Sequence, residues 1–482
     1  MSLRIYNTLT KGKEEFRPRE ANKASIYVCG VTPYNYCHVG NARPYVVWDV
    51  FRRYLEYKGY EVHHVQNFTD VDDKILARAA EEDKRPAEVA GKFIEEYFAD
   101  LDGLGVKRAH VYPKVTDHIP DIIRMVQGLL EKGYAYQVNG DIFYDVSQFK
   151  DYGKLSGRSL EELRAGARVE VDERKNNPMD FALWKKAKPG EISWNSPWGQ
   201  GRPGWHIECS VMALKYLGEN IDFHGGGVDL VFPHHENEIA QAEAFTGQTF
   251  VRYWLHNGFV NFSGEKMAKS LGNVVSIREA RQQYSGMAVR LYLLSTHYRS
   301  PIDFDLEKLA AAQKGWERLQ NAQEALEQVL GKTTEELPAP PQEELSERGQ
   351  KLIKGAQEAQ ARFEEAMDDD FNTALAVGVL FDLTREINSF LRKPVASQEE
   401  KAVLVRARKI FQTISDVLGL VSATEVGDEE KLVDSLIQII IEIRQKARQD
   451  KDYARADEIR DRLAQLGIVL EDAPQGVRYR RK

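Results

Sequence analysis

Two short clusters of chemistry-bearing residues stand far apart in this chain of 482 residues: Cys37-His38-Val39-Gly40-Asn41 near its start and Lys266-Met267-Ala268-Lys269-Ser270 past its middle. The first sets an imidazole, an amide and a small glycine in a turn that feeds a helix, where backbone N–H groups and the positive helix end favour phosphate. The second sets two ammonium groups on a loop bounded by Gly264 and Gly272, suited to negative charge that builds up on a departing pyrophosphate. Each alone is also how an ordinary helix entry or a solvated basic loop reads. Together they make His38, Gly40, Asn41, Lys266, Lys269 and Ser270 candidates for an ATP site.

A second set of residues is suited to a metal. The chain has three cysteines, Cys29, Cys37 and Cys209, and one segment rich in His and Glu, Phe232-Pro233-His234-His235-Glu236-Asn237-Glu238. If Pro233 opens a helix, His234 and Glu238 stand one turn apart on one face. With Cys29 and Cys209 they supply two thiolates, an imidazole and a carboxylate, a donor set that zinc accepts. Spacing alone leaves a second reading open, in which two buried thiols act as small hydrophobes beside a charged helix face.

The elements that must position these groups follow from pattern. Ser25 to Cys29 reads as a buried strand stopped by Gly30 and Pro33, apolar residues recur at helical spacing from Pro44 to Gly59, and Glu61 to Phe68 is again strand-like. This is a β-α-β unit with His38 and Asn41 in its turn. Two strand-like runs around Asn139-Gly140 form a hairpin that opens an insertion. The polar run Ser159 to Asn177 completes it, and Phe181-Ala182-Leu183-Trp184 is expected to return the chain to the nucleotide fold. Ala288 to Tyr298 reads as a buried helix. From Leu306 the pattern is helical, interrupted by a Pro- and Glu-rich connection from Glu335 to Glu344. Asp368-Asp369-Asp370 reads as helix-entry polarity before Asn372-Thr373 rather than as a metal triad.

The paired motifs resemble the bipartite ATP site of class I aminoacyl-tRNA synthetases, with Val39 and Asn41 departing from the HIGH signature and Ala268 from KMSKS. Tyr27 to Tyr34, Gly204 to Ser210, Asp222 to Gly227, Pro233 to Glu238 and Met367 to Thr373 are similar to the cysteinyl-tRNA synthetase family, and the likeness runs to Gly467–Asp472 near the C-terminus. The resemblance implies that Cys29, Cys209, His234 and Glu238 hold one zinc ion that selects the substrate thiolate. A serine hydroxyl is thereby rejected without an editing site. It also implies amino-acid contacts from Thr69, Trp205 and His224, with His206 and His224 placed either to orient the ligands or to line that pocket, and from Asp229 to the ribose or the α-ammonium. Cys37 is expected only to pack. The implied partners are L-cysteine, ATP with Mg and tRNA(Cys), and the implied reaction is adenylation followed by transfer to the terminal ribose.

The expected fold class is α/β: a Rossmann-like catalytic domain over 1–133 and 178–305 with an inserted connective segment at 134–177. A helical tRNA-binding bundle at 306–420 and a C-terminal anticodon-recognition module at 421–482 follow. Composition agrees: a hydrophobic fraction of 42% and a net charge of −8 suit a soluble enzyme with local rather than general basic patches for nucleic acid. Sparse cysteines, no membrane-length apolar run and no signal-peptide core lead to the expectation of a cytoplasmic monomer. Two other readings exist, a ligase that joins cysteine to an amino sugar and a non-catalytic zinc-stabilised RNA-binding paralogue. The long helical modules argue against the first, and intact His38, Lys266 and Lys269 against the second.

Lys269→Ala is expected to lower the rate of adenylate formation by about a hundredfold while ATP binding changes little, because an ammonium aimed at migrating phosphate charge acts mainly on the transition state. Single-turnover kinetics beside ATP titration measure this.

Overall fold

The computed structural model describes residues 2–159, 161–162, 172–262, 265–267, 274–331, 345–395, 397–420, 426–450, 452–466, 468–473 and 476–481. The chain divides into two compact bodies, Met1–Val421 and Ser422–Lys482.

The first body is built on a parallel four-stranded sheet in the order Val251–Asn257, Ile221–Gly227, Lys23–Val28, Glu61–Gln66. Alternation is lost at its centre because both faces are covered: all of Ile221 to Gly226 is buried, as parallel sheets require. The expected β-α-β unit is present, with Tyr27 registered on Val65. Its helix begins earlier than the periodicity suggested, at Val39 rather than Pro44, and runs to Tyr57. Pro44 falls inside the helix in its second turn, where it cannot donate to the Gly40 carbonyl. The strand Ile221–Gly227 passes close to neighbours at Gly225, where a Cβ would lie 2.2 Å from the Leu255 carbonyl oxygen and 2.3 Å from Trp48.

The insertion is an antiparallel sheet of five strands ordered Ala135–Val138, Asp141–Tyr144, Phe181–Lys186, Gly199–Pro203, Trp194–Ser196. Its first hairpin turns at Asn139 and Gly140 with φ of 53° and 95°, both in the left-handed region that the Asn-Gly pair favours. Phe181–Lys186 was expected to rejoin the nucleotide fold; instead it pairs antiparallel with Asp141–Tyr144 and with Gly199–Pro203. The boundary expected at 177 therefore cuts this sheet. A short apolar run fits an antiparallel core strand as well as a parallel one, and Phe181, Leu183 and Trp184 are buried in the core of this sheet's side.

The helix Gly286–Leu294, every residue of which from Met287 on is buried, leads through the strand Ile302–Phe304 to four long helices, Leu306–Leu330, Glu347–Asp368, Thr373–Leu391 and Gln398–Leu418. These pack into the same body as the nucleotide fold and share one hydrophobic core with it. Asn372 caps the Thr373 helix, accepting from Leu375 N at 3.2 Å, as expected. The three aspartates before it do more than mark a helix entry. Asp368 accepts from Tyr54 at 2.7 Å and Lys58 at 3.2 Å, Asp369 from Lys13 at 2.6 Å, and Asp370 from Tyr6 N, Tyr298 and Arg299 at 2.7–2.9 Å. They fasten the bundle to the N-terminal strand Arg4–Asn7 and to the Val39 helix.

A buried ion pair does the same at the other end of that helix face. Arg290, fully buried, meets Asp49 at 2.5 Å and donates to the carbonyls of Leu418, Leu104 and Gly105. The second body consists of helices Val426–Gln449 and Tyr453–Gln465 and a hairpin of strands Ile468–Ala473 and Gly476–Arg481. Among the described residues no helix is long and apolar enough to cross a membrane.

Asp49→Ala leaves the Arg290 charge buried without its partner and is expected to cost about 3–5 kcal/mol of stability. Adding Arg290→Met should recover part of that loss, read as a higher denaturant midpoint for the double variant than for Asp49→Ala.

Candidate active site and metal centre

The parallel sheet delivers the metal-capable set to one place. Cys29 follows the strand Lys23–Val28, Cys209 sits on the helix Trp205–Leu217, and Glu238 is on the helix Glu236–Thr246. His234 lies just past a kink at Phe232, whose backbone is extended; helical backbone resumes at Pro233 and continues into that helix, so Pro233 opens the helical run as expected. The i, i+4 relation holds, with His234 Nε2 3.0 Å from Glu238 Oε1. One donor atom from each of Cys29, Cys209, His234 and Glu238 lies within 4.8 Å of the others, and all four are buried. Cys29 Sγ is 3.9 Å from Cys209 Sγ and 3.5 Å from Glu238 Oε1.

Two thiols, an imidazole nitrogen and a carboxylate so gathered fit zinc by ligand type and number. The four groups are strongly coupled electrostatically. Hydrogen bonding to Cys29 draws the Cys209 thiol down to about 6 against its burial. Glu238 is held at about 2, since His224 and His234 outweigh the burial that would raise it. Burial works to lower His234, yet Glu238 and Cys209 lift it to about 10. Burial pushes the Cys29 thiol well up. Negative charge therefore gathers on Cys209 and Glu238, and His234 is drawn positive in response.

Around this set is a layer of histidines, of which His206 and His224 were expected either to orient ligands or to line the amino-acid pocket and His256 was not singled out. His224 is fully buried, stacks on Trp254 at 4.5 Å and bonds Glu238 Oε2 at 2.8 Å, so it orients a ligand from behind. His206 Nδ1 lies 3.0 Å from His234 Nδ1. His235 Nε2 is 3.3 Å from Cys29 Sγ, and its Nδ1 continues to His256 at 2.7 Å and then Thr8 at 2.8 Å. Cys29, His224, His235 and Glu238 form a second, overlapping donor set of the same compactness. The i, i+4 spacing chose His234 over its neighbour His235 to face Glu238, and His234 Nε2 is the nearer of the two, 3.0 Å from Glu238 Oε1 against 3.9 Å for His235 Nε2. Trp205 stacks on His234 at 4.3 Å and is 44% exposed, so it rims the centre. Thr69 is buried, and its hydroxyl takes a 3.5 Å bond from Asn67, whose Oδ1 in turn accepts from Gly30 N at 2.9 Å.

Cys29 also opens onto a cleft of about 450 Å³ whose lining includes His38, Gly40, Asn41, Asp229, Lys74 and Met267. His38 is the N-cap of the Val39 helix: its Nδ1 accepts from Asn41 N at 3.3 Å, and Asn41 Oδ1 accepts from His38 N at 3.4 Å. Asn41, expected to hold phosphate, thus closes a capping box and steadies His38. Of the second motif, Lys266 pairs through its backbone with Asn261, and Met267 is buried facing Gly40. The Lys266 side chain, Lys269 and Ser270 lie outside the described residues. Arg43, not singled out from sequence, is fully buried and donates to the carbonyls of Gly258, Phe259, His297 and Ser300 at 2.6–3.2 Å, which fixes the cleft wall. Burial lowers it to about 10.

Comparison with known proteins follows this geometry. Residues 15–314 match the class I (C) catalytic domain of tRNA synthetases, 362–422 the DALR domain and 437–480 the cysteinyl-tRNA ligase anticodon binding domain. Cysteine–tRNA ligases of Heliobacterium modesticaldum and Carboxydothermus hydrogenoformans are 54% and 55% identical, covering 100% and 99% of this chain and 100% of each relative. The chain belongs to the cysteinyl-tRNA synthetase family. Methionyl-tRNA synthetase of Mycobacterium tuberculosis with methionyl-adenylate, 16% identical, aligns over 84% of this chain and 92% of its own with a TM-score of 0.63, a likeness of fold alone. The class I synthetase fold expected from the paired motifs is thereby established.

Gly30→Ala would place a Cβ 1.5 Å from the Asn67 carbonyl oxygen, so the backbone beside Cys29 must move. The expected result is a lower thermal midpoint together with loss of metal binding, measured by thermal denaturation and metal titration.

Proposed function

We propose that this synthetase activates L-cysteine with Mg-ATP to cysteinyl-adenylate and transfers the cysteinyl group to the 3′-terminal ribose of tRNA(Cys), with a zinc ion selecting the substrate thiolate. One observation carries the reading: Cys29 is a member of the metal-capable set and also lines the cleft that His38 and Met267 of the two ATP motifs share. An amino acid fastened at Cys29's end has its carboxylate directed toward the nucleotide motifs.

Cys29, Cys209, His234 and Glu238 would hold the zinc, which when bound supplies a soft Lewis acid that prefers a thiolate to a hydroxyl. His224 and His206 fix the orientation of Glu238 and His234. Trp205, at the rim, and Thr69, held by Asn67, flank the amino acid, and Asp229 accepts from the ribose or the α-ammonium. In the first step a cysteine carboxylate oxygen bonds to the α-phosphorus and the bond to pyrophosphate breaks. His38 and the start of the Val39 helix hold the phosphates, with Gly40 keeping the approach open: a Cβ there would stand 2.9 Å from His38 Nδ1. Lys266 and Lys269 stabilise the charge that leaves with pyrophosphate. In the second step a ribose hydroxyl of the tRNA terminus attacks the adenylate carbonyl and AMP departs. Helices within 306–420 and the module beyond 421 serve tRNA and anticodon contacts, the latter in keeping with the matched domain over 437–480. A cytoplasmic location suits this role.

The expected outcome is cysteine-dependent exchange of pyrophosphate into ATP, charging of tRNA with cysteine, and about one zinc per chain by elemental analysis. Cys209→Ser should lower metal content and cysteine activation together. A zinc-free wild type that remains fully active would remove the thiolate-sensing role.

A further inference from the structure

The chain on either side of the two ATP motifs is joined by backbone bonds. Val39 N donates to Val275 O and Ile277 N to Cys37 O, each at 3.0 Å, and His38 pairs with Ser276 as an antiparallel bridge. The segment that follows the lysine motif is therefore laid directly on the segment that sets His38. Two hydrogen bonds on a short stretch are a weak clasp by themselves. What lies beneath them is charged. The short helix Ile277–Gln283 points two arginines at the helix Pro86–Asp102: Arg281 occupies the space beside Gly103, and Arg278 pairs with Glu96 and approaches Asp100 Oδ1 at 3.4 Å. The Arg278 guanidinium also covers the ring of Tyr36, the residue before Cys37, at 4.4 Å.

Asp100 is the unusual member. It is 1% exposed, and its Oδ2 has no hydrogen-bond partner among the described residues. The Cys37 backbone N–H donates toward it. A buried carboxylate with an unsatisfied oxygen costs stability, and the fold has an obvious cheaper choice in asparagine.

We infer that Asp100 and Arg278 are positioning residues for the nucleotide step: the pair holds the Val275–Ile277 segment against Cys37–Val39 and so fixes His38 for ATP. The inference deepens the function proposed above and rests on it. Asp100 reaches the first motif through Cys37 N–H and the second through Arg278, which in turn braces Tyr36, so loss of its charge loosens both sides of the clasp at once. Acidification has the same effect. Burial raises Asp100 to about 6, against the pull of Arg281 and the Cys37 N–H. Its raised value means that the ionised form is tolerated at a stability cost above about pH 6 and that protonation below it relieves the cost. Glu96, Arg278 and Arg281 are the charged groups that face it.

A merely structural carboxylate and a positioning one respond differently to Asp100→Asn. Steady-state pyrophosphate exchange gives KM for ATP at saturating cysteine and KM for cysteine at saturating ATP, thermal denaturation gives the midpoint, and direct titration gives the Kd for ATP. The expected result is a rise of about tenfold in KM and Kd for ATP, cysteine KM within about twofold, and a thermal midpoint no lower than wild type. Arg278→Ala should match Asp100→Asn, and Arg278→Lys should restore part of the ATP affinity. In wild type the Kd for ATP should rise as pH falls below about 6, and in Asp100→Asn that acid limb should be absent. An unchanged Kd for ATP in Asp100→Asn overturns the inference, as does a fall in thermal midpoint with both KM values rising alike. A wild type without cysteine-dependent exchange would overturn the function proposed above, and the ATP titrations would still decide the role of Asp100.

Discussion

The first body depends on a single buried charge pair, Asp49 with Arg290. Asp49 lies on the helix that begins at His38, and Arg290 lies on the helix from which the chain leaves for its long bundle. The pair also reaches sideways: Asp49 accepts from Arg53 and from Lys107 N, and Arg290 binds carbonyls at the ends of two other helices, Leu104 and Leu418. Two charges out of water repay their desolvation only when every remaining donor and acceptor is matched, which forces these helix ends to meet in one arrangement. The nucleotide fold and the bundle are for that reason one body. The loop of aspartates at 368–370 repeats the logic at the far end of the same helix, where Tyr54 and Lys58 reach Asp368.

Which parts of this were legible in the sequence follows from how each part is held. The parallel unit and the Asn-Gly hairpin were legible, because apolar period and turn chemistry are local. The meeting of the two ATP motifs was legible only as a resemblance, and the placement of Met267 against Gly40 gives it a physical basis. The strand Phe181–Lys186 was misassigned because a short apolar run says nothing about which sheet takes it. Arg43 and Arg290 were invisible for a different reason. A buried guanidinium that donates to distant backbone carbonyls leaves no period and no neighbour in sequence to mark it.

The metal-capable set shows the same division. Its four members could be listed from residue type, and the i, i+4 spacing to Glu238 chose His234 over His235; what spacing did not show is that His235 turns its Nε2 to Cys29 instead. His224, beside the Gly-rich turn, was expected to orient a ligand or to line the pocket. Gly225 lets Trp48 and the Leu255 carbonyl approach, and His224 faces inward onto the carboxylate.

The placement of Cys29 at the end of a strand, with His38 only a short loop away, has a consequence for what the cleft can measure. On the function proposed above, a substrate tethered by its sulfur at one end would present its carboxylate at a phosphorus held at the other, and the wall between them is pinned by Arg43 and by the sheet. The number of bonds between sulfur and carboxyl carbon is then read as a length. Side chains that carry the same sulfur on one more methylene are mispositioned by about 1.5 Å, enough to forfeit in-line attack even when the sulfur binds equally well. Such a site sorts its substrates by element at one end and by reach at the other.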